Sequence, residues 1–271
     1  MDTGLKDKHV LITGASGGIG SATLKLFLQE GAKVSAHYNS NQINIENFST
    51  KEKESIFPVK ASIQDEESVK MMFSTANKHF GRIDILVCNA GIWPSNAVSI
   101  ADMTFDQWQK TQDVNLTGYF LCIKYFFNNL RDFPGDEASI VLIGSTAGVF
   151  GEAGHADYSV TKFGAVGLML SAKNEISYFA RKGRVNIVHP GWTVTPMAEE
   201  SLKDHQMVKK ILQTIPVRKI GEAIDIASQI VVLSSNKLSN HVSGQQIVVA
   251  GGMEGRVLYQ PDDIDMKYIR G

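Results

Sequence analysis

The chain has 271 residues, 43% of them apolar and 20% charged, a make-up that suits one globular domain with a full core. Its 27 basic and 28 acidic residues leave a formal net charge of −1, so no charge excess favours nucleic acid or an anionic membrane as a standing partner. No apolar run nears the ~18 residues of a membrane span, and the opening MDTGLKDKHV lacks the charged-then-apolar layout of a signal peptide. Cys88 and Cys122 stand in no metal-binding or redox spacing, so two buried free thiols, no metal site and a cytoplasmic setting are the expectation.

Short apolar runs alternate with segments of helical period. Residues 9–13 (HVLIT) predict a first strand, followed at once by a glycine-rich turn. Residues 21–30 predict a helix, apolar at Ala22, Leu24, Leu26, Phe27 and Leu28 and ended by Gly31. Further strands are expected at 33–37, 57–60 and 83–88, with polar, irregular sequence at 41–56. Between the last two strands, Val69, Met72, Phe73 and Ala76 give residues 66–80 a helical stripe that stops at Gly81. A long helix at 105–130, a strand at 140–144 and a helix at 159–180 come next. Strands at 184–189 and 246–249 then flank a helix at 222–233. Alternation of this kind implies an α/β fold: right-handed βαβ crossovers and a parallel sheet covered on both faces. No linker, repeat or low-complexity tract divides the chain, so residues 1–271 are read as one domain.

The turn reads Thr13-Gly14-Ala15-Ser16-Gly17-Gly18-Ile19-Gly20, between a predicted strand and a predicted helix. Glycines there allow a tight turn, close approach to a pyrophosphate and helix-on-strand packing, while the helix N-terminus offers free N–H groups to the anion. The spacing fits both GxxxGxG (Gly14, Gly18, Gly20) and GxxGxxG (Gly14, Gly17, Gly20). A second strand in such a fold usually ends in an acid that grips the adenosine ribose. Here the run is Lys33-Val34-Ser35-Ala36-His37-Tyr38-Asn39-Ser40, with no acid. This permits a 2′-phosphate, with His37, Asn39 and Ser40 as donors, and favours NADP over NAD.

Tyr158 and Lys162 lie at i and i+4 on one helix face. A phenol with a pKa near 10 is a poor base at neutral pH, and a nearby ammonium lowers it toward the working range. Ser145 stands 13 residues before Tyr158, at the carboxyl end of a predicted strand where open α/β sheets hold ligands. Asn89-Ala90-Gly91 closes another strand, and Asn115 falls inside the long helix.

These motifs together resemble the short-chain dehydrogenase/reductase family in its compact single-domain branch, over roughly residues 5–253. The resemblance implies a Rossmann-type doubly wound parallel sheet and settles the glycine spacing as GxxxGxG. It also implies an NAD(P)-dependent oxidoreductase that moves a hydride between nicotinamide and a carbonyl or secondary alcohol. On that basis Tyr158 is the acid/base, Lys162 lowers its pKa and holds the nicotinamide ribose, Ser145 orients the substrate oxygen, and Asn115 holds a water leading to Lys162. Cofactor contacts are implied at Gly14, Ser16, Gly17, Gly18, Ile19, Gly20, His37, Tyr38, Asn39, Ser40, Ser62, Ile63, Asn89, Ala90, Gly91, Tyr158, Lys162, Pro190, Gly191, Thr193 and Thr195. Two departures concern the adenosine end: Ser62 stands where the family commonly has an acid, and residues 41–56 are short.

Residues 196–215 are the expected substrate lid, and Trp93, Phe150, His155 and Trp192 are candidates for an apolar pocket wall. A homo-oligomer, dimer or tetramer, is implied, paired through the helices at 105–130 and 159–180, with Tyr119, Phe120, Ile123 and Phe127 as an apolar stripe that core packing explains equally well. The C-terminal extension 253–271 is expected to pack on a neighbouring subunit. A polyol or sugar dehydrogenase working oxidatively, and a non-catalytic nucleotide sensor, remain alternative functions.

Overall fold

A computed structural model describes residues 2–257 and 259–265, with backbone alone at 200 and 201. Elements run in the order β1 (His9–Ile12), α1 (Gly18–Gln29), β2 (Lys33–Tyr38), α2 (Thr50–Lys53), β3 (Ile56–Lys60), α3 (Glu66–Phe80), β4 (Ile85–Cys88) and α4 (Phe105–Gln112). They continue with α5 (Gly118–Asp132), β5 (Glu137–Ile143), α6 (Thr146–Phe150), α7 (Ala156–Glu175), β6 (Lys182–Pro190) and β7 (Thr193–Val194). The last are α8 (Glu199–Lys203), α9 (His205–Leu212), β8 (Gly221–Glu222), α10 (Ala223–Ser234) and β9 (Gln246–Val249).

Among the described residues, seven strands pair in parallel in the order β3-β2-β1-β4-β5-β6-β9. The order reverses between β1 and β4, and a cleft opens there at the carboxyl ends of the strands. Side chains alternate across the sheet with a period of two. Leu11, Leu86, Cys88, Ile140 and Leu142 therefore join the core beneath α3, α5 and α7. Val10, Ile12, Ile85, Val87, Val141 and Ile143 face the opposite core with α1 and α10. Pro58 lies on the outer strand β3, where a missing ladder donor is tolerated.

The long helix predicted at 105–130 contains a π-helical turn, Asp113–Thr117, between α4 and α5. Such insertions concentrate at functional sites. The predicted helix at 159–180 begins earlier, at Ala156, which brings Tyr158 into the first turn of α7. Cys88 and Cys122 are both buried free thiols. No helix of the described residues is long and apolar enough to cross a membrane.

The stripe on α5 divides between core and surface. Tyr119 is fully buried and its hydroxyl donates to the Ile143 carbonyl at 3.0 Å. Ile123 is buried too, which leaves Phe120 as the exposed member of that stripe. Through Asp265 the C-terminal extension packs on its own chain, because α9 and residues 215–220 offer an apolar face that would otherwise be wet. Ile264 joins Val208, Ile211, Leu212, Ile215 and Ile220 there. Tyr259 exchanges hydrogen bonds with Gln213, and the Arg218 guanidinium sits 4.0 Å from its ring. Leu258 and residues 266–271 lie outside the described residues.

Candidate active site

A cleft of about 600 Å³ follows the strand order across the sheet. Ser62–Gln64 after β3 and His37 and Asn39–Asn41 at β2 line one end, and the glycine turn after β1 comes next. Asn89–Trp93 after β4, Lys110 of α4 and Val114 of the following turn, Ile143–Ala147 and Glu152 after β5, and Pro190–Thr193 with Thr195–Ala198 after β6 complete it, with Tyr158 and Lys162 rising from α7.

The glycine turn is held by backbone sterics and by neighbours. Gly14 has φ +66°, and a Cβ at Gly20 would lie 2.1 Å from the Gly14 carbonyl oxygen. Side chains are excluded at both positions. The Asn89 amide donates to the Thr13 and Gly14 carbonyls at 2.9 and 3.0 Å. Thr13 Oγ1 accepts the N–H groups of Asn89 and Ala90. Asn89 thus shapes the turn, and Thr13 is a partner that the sequence did not single out. A carbonyl-to-glycine tether leaves no motif of its own.

His37 is corrected as a phosphate donor. Its Nδ1 accepts the Gly14 N–H at 3.0 Å, so the proton sits on Nε2, which donates to the Ala61 carbonyl at 3.1 Å. Both ring nitrogens are spent inside the fold, and burial pushes the imidazole pKa down. Tyr38 packs against the core around α1 and is not among the lining residues. Asn39, Ser40, Asn41, Ser62 and Gln64 remain as neutral polar groups at this end, with Ile63 beside them.

At the other end Ser145, Tyr158 and Lys162 come together. The Ser145 Oγ caps α6 by accepting the Ala147 N–H at 3.1 Å, and it lines the cleft together with Tyr158. Lys162 Nζ lies 5.5 Å from the centre of the Tyr158 ring and donates to the Ile143 carbonyl at 2.8 Å and the Tyr119 hydroxyl at 3.3 Å. Burial raises the Tyr158 pKa to about 12, with the nearby Ser145 hydroxyl pulling the other way. Burial lowers the Lys162 pKa to about 8. Both shifts have one cause: the enclosed site disfavours each charged form.

Asn115 stands on the π turn, fully buried. Its Oδ1 accepts the Ile92 N–H at 2.7 Å and its Nδ2 donates to the Ile92 carbonyl at 2.9 Å. The side chain clamps the loop after β4 directly. Gly91 lets that loop pass, because a Cβ there would lie 3.1 Å from Asn115 Oδ1 and 3.6 Å from Lys162 Nζ. His189 is buried in β6 and its Nδ1 accepts the Ser145 N–H at 3.2 Å. Gly144 makes room for the ring, since its Cβ would fall 2.3 Å from Nδ1. Asp157 is also buried, accepting from Thr111, Gln107 and the Tyr158 N–H, and ties α7 to α4. The sequence reading missed His189 and Asp157 as supports of the site.

Thr195 stands over the glycine turn, for a Cβ at Gly18 would meet its methyl at 2.7 Å, and the Thr193 hydroxyl donates to the Gly191 carbonyl at 2.9 Å. Of the aromatic candidates, Trp93 and Trp192 line the cleft. Trp93 meets Tyr158 edge-on with centroids 4.7 Å apart and stacks on His155 at 3.9 Å. Phe150 is corrected: it is largely exposed, lies against Gly255 and does not line the cleft.

A nicotinamide dinucleotide fits this cleft on the structure's own terms. Among the described residues, Gly18 and Ile19 have no backbone acceptor for their N–H groups, which open α1 beside side-chain-free glycines. No group of three or more His, Cys, Asp or Glu among the described residues could hold a metal ion.

Comparison with known proteins agrees. A family model described as enoyl-(acyl carrier protein) reductase matches residues 14–254. The 3-oxoacyl-(acyl-carrier-protein) reductase FabG of Staphylococcus aureus is 35% identical over 251 residues, covering 91% of this chain and 98% of that protein. A solved short-chain dehydrogenase/reductase from Brucella melitensis, titled glucose/ribitol dehydrogenase, superposes with TM-score 0.80 at 30% identity, covering 94% of this chain and 98% of its own. The aldohexose dehydrogenase of Thermoplasma acidophilum superposes with TM-score 0.82 at 25% identity, covering 96% and 99%.

Proposed function

The chain belongs to the short-chain dehydrogenase/reductase family, and we propose that Tyr158 is the group through which it exchanges a proton with its substrate. It is an NAD(P)-dependent oxidoreductase acting on carbonyl and alcohol groups. The bound nicotinamide supplies the hydride in reduction and accepts it in oxidation. In this reading the chain's residues do the rest. The Tyr158 hydroxyl, held protonated by its enclosed site, gives its proton to the substrate oxygen in reduction and takes one back in oxidation. Ser145 donates to the same oxygen and fixes its place. Lys162 faces the Tyr158 ring and stabilises the phenolate as it forms. Gly14, Ser16, Gly17, Gly18 and Ile19 hold the pyrophosphate, while Asn89, Gly20, His37 and Asn115 hold the loops that surround it.

The observation that carries this reading is the convergence of Ser145, Tyr158 and Lys162 on one cleft, with Lys162 Nζ 5.5 Å from the centre of the phenol ring. Tyr158→Phe tests it: turnover is expected to vanish while quenching of tryptophan fluorescence by NADPH persists. Undiminished turnover would refute it.

NADPH is the proposed preference over NADH. The β3–β2 end of the cleft offers Asn39, Ser40, Asn41, Ser62 and Gln64 and no carboxylate to repel a 2′-phosphate. A homo-oligomer is proposed from the apolar outer faces of α5 and α7, where Phe120, Val160, Phe163 and Leu170 are exposed. Residues 196–215 act as lid, their underside sealed by the C-terminal extension. The buried free thiols support a reducing, cytoplasmic setting.

A further inference from the structure

Among the described residues that line the cleft, Glu152 alone carries a carboxylate. It lies on the loop between α6 and α7, beyond Ser145 and on the side of the cleft away from the β3–β2 end. The loop is held from two directions. The Glu152 N–H donates to Ser159 Oγ at 3.2 Å, one residue past Tyr158, and the Gly154 carbonyl accepts the Val98 N–H at 2.8 Å. Gly154 has φ +81° and packs on Ala97, so the turn that presents Glu152 is a built feature.

Among the described residues the Glu152 carboxylate has neither a hydrogen bond nor an ion pair. It is only partly exposed, and burial raises its pKa. A half-buried carboxylate without a protein donor relies on water at its oxygens, which are not sealed from solvent. Its position in a ligand cleft supplies a reason for it: the missing donor comes with the ligand. Trp93 and Trp192 line the same cleft, Trp93 edge-on to Tyr158.

We propose that Glu152 is a specificity-determining residue that selects substrates bearing a second hydrogen-bond donor, a hydroxyl or an ammonium, close to the reacting carbon. The inference rests on the assignment of Tyr158 and Ser145 as the reacting centre. A hydroxylated or aminated ketone gives its extra donor to the carboxylate and replaces the water lost on entry. A plain aliphatic chain strips that water and returns nothing, and an anionic group set against the Glu152 carboxylate is repelled by it, with Lys110 and Lys162 the opposing side chains of the same cleft.

The test compares kcat/KM, with NADPH, for dihydroxyacetone, aminoacetone, 2-butanone and acetoacetate in the wild type, Glu152→Gln and Glu152→Leu. The wild type is expected to favour dihydroxyacetone or aminoacetone over 2-butanone by tenfold or more and to use acetoacetate worst. Glu152→Gln is expected to erase the preference for aminoacetone and to raise acetoacetate, whereas Glu152→Leu also erases that for dihydroxyacetone. The two variants therefore separate an ammonium-bearing from a hydroxyl-bearing substrate. A wild-type preference for 2-butanone or acetoacetate would overturn the inference, as would an unchanged ranking in both variants. Equilibrium binding of dihydroxyacetone and 2-butanone, read by the fluorescence of Trp93 and Trp192 in the cleft, gives an arm independent of turnover. If the Glu152-dependent difference in binding is present but nothing is turned over, the reacting-centre assignment fails and the selectivity stands; if that difference is absent, the inference fails.

Discussion

At the β3–β2–β1 end the cleft is lined by backbone amides and neutral side chains, Asn39, Ser40 and Ser62 among them, whereas the β4–β5–β6 end holds Lys162, Tyr158 and Glu152. The first end is specified by where the main chain passes: Gly14 at φ +66°, Gly20 against the Gly14 carbonyl, and Asn89 tying the turn down. The second is specified by desolvation, which moves Tyr158 up to about 12 and Lys162 down to about 8. A ligand that is always the same dinucleotide is held by shape, and a proton that must move is handled by groups poised against their own charge. Substitutions at the two ends should therefore fail differently.

The largest effect is expected at the reacting end. Tyr158→Phe removes the proton donor and should lower kcat by about 10³-fold, within the range for general acid–base catalysis, with little change in cofactor dissociation constant. Steady-state kinetics together with a fluorescence titration checks both halves. At the binding end, Gly20→Ala puts a Cβ 2.1 Å from the Gly14 carbonyl oxygen. Overpacking of this kind costs about 1–3 kcal/mol, so urea unfolding should shift and cofactor affinity should fall together. A loss of kcat with full affinity would contradict the division between the two ends.

Introducing charge at the neutral end sharpens the comparison. Asn39→Asp should weaken NADPH relative to NADH by about tenfold, equivalent to about 1.4 kcal/mol, through repulsion of the 2′-phosphate. Equal effects on both cofactors would argue against NADPH preference. The pH dependence of stability is a smaller signal. Because Lys162 titrates at about 8 in the fold and near 10.5 when free, the unfolded chain binds more protons between those values, and stability should rise with pH across that window. Tyr158, raised from 10 to about 12, reverses the slope above pH 10. Lys162→Met should flatten the rise between pH 8 and 10 in chemical denaturation.

Much of this was legible in linear order. The strand-and-helix alternation, the glycine turn, and the Tyr158–Lys162 pair are local patterns, set by a period of two or 3.6 and by backbone sterics. His37 was misread for a reason of the same kind: a polar residue at a strand end looks available, and nothing local shows that Gly14 and Ala61 occupy both its nitrogens. Spacing left Tyr119 open between an outer stripe and the core, and Ile143 and Lys162, distant in the chain, turn it into a buried polar contact.

Tyr158, returned to from the sequence, shows where the boundary falls. Local spacing determined that a phenol and an ammonium share one helix face, because four residues make about one turn. Only the tertiary structure decided their protonation, since desolvation depends on the β5 carbonyl, Tyr119 and Trp93 that close around them. It alone, too, placed in the same cleft a Glu152 carboxylate without a partner among the described residues, because burial and partnership are properties of packed surfaces and leave no periodic trace in a chain.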